Sequence, residues 1–108
     1  MAALVVTPGT ATQAVNKAAV SAASPSTQVV QFSASVQRVS FQLISANNSF
    51  TSSMYIATSL DGVNFVDGTF IYGPGQAVLA APGVFYQITS QISQGDLPDQ
   101  ISVWVLGI

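Results

Sequence analysis

Apolar side chains recur at every second position over much of this chain. That period constrains the fold more than any other feature, because in an extended strand it puts them all on one face. Val39, Phe41 and Leu43 alternate with Ser40 and Gln42, and Met54 and Ile56 with Tyr55 and Ala57. Val84, Tyr86 and Ile88 alternate with Phe85 and Gln87, and Ile101, Val103 and Val105 with Ser102 and Trp104. From about Thr27 onward, each such run reads as a half-buried antiparallel strand. Turn signals separate the runs at roughly eight to twelve residues, the cadence of a sandwich or barrel. They are Asn47-Asn48, Asp61-Gly62, Pro74-Gly75, Pro82-Gly83 and Gly95-Asp96-Leu97-Pro98. Ser59-Leu60-Asp61-Gly62-Val63-Asn64-Phe65 predicts a tight hairpin with a type I′ turn at Asp61-Gly62. Asp67-Gly68 reads as a turn or bulge. The expected fold class is all-β: an antiparallel β-sandwich or jelly-roll-like domain with an Ala/Ser-rich N-terminal arm.

Residues 1–26 stand apart as an N-terminal strand and arm, ahead of a sandwich domain over 27–108. Pro8 to Ser26 is rich in Ala, with several Ser and Thr, and Lys17 is its only charge. Ala14, Ala18, Ala19 and Ala22 suit at most a short helix, which is marginal by itself. Two readings stay open. The segment is an arm that orders on a neighbouring subunit, or it packs on its own domain. The closing run, Val103 to Ile108, carries no polar tail and is expected inside a sheet.

Charge is scarce. Lys17, Arg38, Asp61, Asp67, Asp96 and Asp99 are the charged side chains, 6% of the chain against 49% hydrophobic residues. Ordinary domains are about 25% charged, so much of this surface is expected to meet other protein. A chain of 108 residues makes one domain, and six Phe, three Tyr and one Trp are ample for its core. Without clustered Lys and Arg there is no footprint for nucleic acid. No run approaches the roughly 20 apolar residues of a membrane-spanning helix, and Met1 to Val6 lacks the basic start of a signal peptide. A soluble product made without secretion, with neither nucleic acid nor membrane as partner, is the expectation.

Catalysis needs a group that exchanges protons near neutrality, and the chain has no His, Cys or Glu. The protein is therefore expected to be non-enzymatic and free of cofactors. Zinc is disfavoured on the same ground. An oxygen cage for calcium around Asp96 and Asp99 is the weaker reading beside turn chemistry, in which Asp side chains bond nearby backbone amides. Asn47-Asn48-Ser49 matches a glycosylation pattern, but two adjacent Asn fit a turn that enters the left-handed region. Aromatic rings are the remaining handle on ligands. Tyr55, Tyr72, Tyr86 and Trp104 are candidates for sugar stacking or for anchoring another subunit, although the first reading of Trp104 is a second apolar layer of the sandwich.

The run Ser40-Phe41-Gln42-Leu43, then Met54 to Phe65, Pro82-Gly83-Val84-Phe85-Tyr86 and Ile101 to Leu106, resembles small bacteriophage virion proteins. A similar hairpin occurs in discoidin-like and other carbohydrate-binding sandwiches and in the Asp-box of sialidase propellers. Here Gly62 follows Asp61 directly, Phe65 stands where Trp is usual and no second copy exists, which disfavours a propeller. The resemblance implies a virion structural protein, a capsid decoration or cement protein. Such a protein acts as a homo-oligomer, with a trimer among the candidate sizes, bound to the major capsid protein or another virion protein. Val15, Val20, Tyr55, Tyr72 and Trp104 are the expected interface residues. The alternatives are a carbohydrate-binding module of a tail fibre or adhesin, and a filament subunit joined by strand addition.

Overall fold

The computed structural model describes residues 3–21, 23–48, 51–79, 83–92 and 98–108, and of Asp67 the backbone alone. Within them lie nine strands: β1 (Leu4–Val5), β2 (Thr12–Val20), β3 (Ser26–Gln31), β4 (Val39–Ser45), β5 (Ser52–Ser59), β6 (Val66–Tyr72), β7 (Gly75–Leu79), β8 (Phe85–Ile92) and β9 (Asp99–Gly107). A five-stranded sheet in the order β1-β3-β8-β5-β6 packs on a four-stranded sheet in the order β2-β9-β4-β7. The fold is a β-sandwich. Only β1 and β3 pair in parallel; the other pairings are antiparallel. No helix among the described residues is long and apolar enough to cross a membrane.

The period-two runs sit where strand geometry puts them. Met54, Ile56, Tyr86 and Ile88 of one sheet and Phe41, Leu43, Ile101 and Val103 of the other are buried in the layer between. Each such side chain contributes about 1.5–3 kcal/mol when fully removed from water. Tyr86, 0% exposed, is the centre of that layer. Its ring meets Phe32 edge-on at 5.5 Å and Phe41 at 5.7 Å. Its hydroxyl donates to the Gly83 carbonyl at 2.9 Å and accepts from the Gly83 amide at 3.3 Å, so the one polar atom of the ring is satisfied. Burial pushes this phenol above its ordinary pKa. The rest of the core is mostly aliphatic, because Phe70, Tyr72 and Trp104 lie on the outside.

Of the two readings of the N-terminal segment, the fold favours packing on its own domain. Residues 12–20 form β2, antiparallel to β9 of the same chain, and the short-helix reading falls with them. Val15 and Val20 are both buried in the core. Five positions apart, they would face opposite sides of a regular strand. Irregularities between Gln13 and Val15 and between Val15 and Ala18 reset the parity, and Lys17 within the second takes a left-handed φ of 49°. The Lys17 amide then donates to Ser102 Oγ at 3.0 Å. Neither valine is available to a neighbouring subunit.

The hairpin at Asp61-Gly62 exists, but not as a type I′ turn. β5 ends at Ser59 and β6 begins at Val66, so residues 60–65 form the connection. Gly62 has φ 78°, whereas Asp61 is not left-handed as a type I′ turn requires. Asp67-Gly68 is a bulge: Ile56 opposes Thr69 and Thr58 opposes Val66, leaving two residues of β6 against one of β5. Asn48 takes the left-handed φ of 51° expected for the Asn47-Asn48 turn. Ala22, Pro82 and the Gly95-Asp96-Leu97 turn lie outside the described residues.

Candidate functional site

The β5–β6 hairpin concentrates what a surface needs for recognition. Ten large apolar side chains are exposed among the described residues, and five of them, Leu60, Val63, Val66, Phe70 and Tyr72, belong to this one element. Tyr72 is 77% exposed and Phe70 47%. Tyr55 and Phe70 are directly opposed across the two strands, with ring centroids 4.6 Å apart. Phe70 and Tyr72, two residues apart on β6, stack at 5.5 Å with an interplanar angle of 11°. The Tyr55 hydroxyl accepts from the Gly68 amide at 3.2 Å, fixing its ring against the bulge.

A carboxylate holds the loop that links these strands. Asp61 Oδ1 accepts from the Ser59 hydroxyl at 2.8 Å, the Val63 amide at 2.9 Å and the Asn64 amide at 2.8 Å. Oδ2 takes the Asn64 side-chain amide at 2.7 Å. Ser59 Oγ in turn accepts from the amides of Asp61 and Gly62. The Asn64 and Val63 amides, then the side chains of Asn64 and Ser59, hold the Asp61 carboxyl well below the usual carboxylate range. This group is a loop organiser, since all its donors are local and stabilise its ionised form.

The outer face of the five-stranded sheet continues from the hairpin. Register places Thr27, Thr89, Tyr55 and Phe70 in one row, and Val29, Gln87 and Ala57 in the next. Among the described side chains of this face none is charged. The opposite face, on the four-stranded sheet, carries Trp104 with Ser102 and Leu106. Trp104 is 37% exposed, so its ring is an outer-surface group and not a second core layer. Beside it lies an open depression of about 280 Å³ bordered by Gln42, Gln76 and Leu106.

Of the five expected interface residues, the structure brings Tyr55 and Tyr72 together, sets Trp104 on the other sheet, and buries Val15 and Val20. Tyr86, a candidate sugar platform on sequence grounds, is a core residue. Sequence alternation gives no sign of Leu60, Val63, Val66 and Phe70, because the first two lie in the loop and an exposed β6 is not distinguishable from a buried one by alternation alone. Asp99 is buried at the start of β9. Its carboxylate accepts from the Ser45 hydroxyl, the Asn47 amide at 3.1 Å and the Gln100 amide at 2.7 Å. It ties the β4–β5 turn to β9 in the manner of turn chemistry. No group of three metal-ligating side chains occurs among the described residues. Comparisons with protein-family models, with curated proteins and with solved structures return no match.

Proposed function

We propose that this protein is a non-enzymatic structural component of a virus particle, a capsid decoration or cement protein. Its subunits associate with one another and with the shell through the β5–β6 hairpin and the adjoining uncharged face. The observation that carries the reading is the clustering of Leu60, Val63, Val66, Phe70 and Tyr72 on one hairpin of a chain that is 6% charged. Exposed apolar clusters rimmed by polar groups mark protein contacts. The Asp61 network adds to this, because a loop ordered before contact loses less conformational entropy on binding. The resemblance of the hairpin and the closing strands to bacteriophage virion proteins supplies the setting.

Four strands about 4.8 Å apart and about seven residues long, with the two-residue β1 at their edge, present on the order of 450 Å² in projection, over half of the ~800 Å² that each partner of a stable pair buries. One such contact is modest, and repeated copies on a shell add through multivalency. The test is the light-scattering mass of the purified chain and of V63K/Y72K. The parent is expected at a multiple of 11.1 kDa, and the double variant at the monomer mass with an unchanged far-ultraviolet spectrum. A parent that stays monomeric at millimolar concentration, or a variant that keeps the parent's mass, overturns the reading.

A further inference from the structure

The four-stranded sheet carries a second arrangement that assembly through the hairpin does not use. Gln13 of β2 is the register partner of Trp104 of β9, Trp104 of Gln42 of β4, and Gln42 of Gln76 of β7. Four strands therefore contribute one transverse row, Gln13-Trp104-Gln42-Gln76, on the outer face. A single indole is flanked by primary amides on both sides. None of these amides, nor the indole N–H, is engaged by another side chain or backbone group among the described residues. The rows above and below are uncharged on β4, β7 and β9, with Leu106, Ser40 and Val78 on one side and Ser102 and Ile44 on the other; Lys17 of the β2 irregularity, whose amide bonds Ser102, is the charged residue at their edge.

The chemistry of such a row selects its ligand. An indole face is apolar and flat, and it suits the C–H face of a pyranose ring. A primary amide offers two donors and one acceptor in a plane, which matches pairs of vicinal hydroxyls. Three strand spacings of about 4.8 Å make the row about 14 Å long, the length of two to three linked hexoses. The row itself carries no charge to compensate an anionic sugar or a phosphate. The ring sits beside the open depression bordered by Gln42, Gln76 and Leu106, which leaves room for a chain to lie across the strands.

We infer that the outer face of the four-stranded sheet is a binding site for a neutral oligosaccharide, with Trp104 as the stacking platform and Gln13, Gln42 and Gln76 as the hydroxyl-reading groups. The site is separate from the hairpin, so it stands or falls independently of the assembly reading.

Trp104 is the one tryptophan in the chain, and its fluorescence reports on the site directly. Cellohexaose, maltohexaose and chitohexaose are titrated against the full chain, with emission and backbone amide shifts recorded together. At least one of them is expected to give a saturable emission change, with amide shifts centred on residues 13, 42, 76 and 104. Gln42→Ala should weaken that response at least about fivefold, since a lost hydrogen-bonding partner in a polar site is felt at this level. Trp104→Ala should abolish the amide shifts while the fold is retained, and V63K/Y72K should leave the sugar response unchanged. Three results overturn the inference: no response to any of the three sugars at about 10 mM, shifts centred elsewhere, or emission that changes with protein concentration alone. The last would mean that another copy covers this face.

Discussion

The Asp61 carboxylate sits in a ring of donors, and its ionised form is the one they hold. Because its folded pKa is depressed, its contribution to stability is present above the unfolded value, near 3.8, and is lost as pH falls towards the folded value. Asp61→Asn should therefore melt below the parent at pH 7. The gap should start to narrow just below about pH 4 and still be closing at about pH 2. A thermal series across that window checks it, and a gap that stays constant would show that the loss lies in geometry and not in charge. The residue itself was legible in the sequence, because Asp-Gly between two strands is turn chemistry. Its partners were not. A two-residue turn leaves the amides of Val63 and Asn64 to the strand ladder, whereas here the side chain takes them and the loop widens.

At the scale of the strand, bulges decide what faces where. Gly68 has a conformational role that its exposed position conceals: a Cβ there would fall on the Ile56 carbonyl oxygen, a backbone atom that cannot move aside cheaply. Gly68→Ala should cost about 2 kcal/mol or more, the level of a forced backbone shift. It should also disturb the Tyr55–Phe70 contact built on the bulge. Gly9→Ala, where φ is 79° and nothing lies within 4 Å, should cost only the left-handed penalty of about 1 kcal/mol. Urea unfolding of both variants reads the difference, and equal losses would show that the bulge is not constrained by Ile56. β4, β5, β8 and β9 were legible because regular strands keep period two. β2 was not, because two irregularities between Gln13 and Ala18 break that period and turn an alternating strand into an Ala-rich stretch without a readable face.

For the whole molecule, the governing quantity is how little charge it has and where that charge lies. Asp99 is buried in a hydrogen-bonded cluster, and the hairpin's two acidic residues, Asp61 and Asp67, have no Lys or Arg on the same element, so a second copy is not drawn to it by opposite charge. Association through the hairpin should then be nearly indifferent to ionic strength. The light-scattering mass is expected to be the same at about 50 mM and about 1 M NaCl, whereas charge-driven association would weaken as the screening length shrinks from roughly 14 Å to 3 Å. Dissociation on adding salt would contradict an apolar contact. The sequence by itself determined that the chain is built of strands, which side chains alternate inward and that catalytic groups are scarce, since these depend on local geometry and composition. Only the tertiary structure decided which strands pair. Apart from the β5–β6 hairpin, every connection between consecutive strands crosses from one sheet to the other, so neighbours such as β2 and β9 or β4 and β9 are distant in the chain. The Trp104 row follows from those long-range registers. Period two says that a strand has two faces; only packing against the other sheet says which of them meets the solvent.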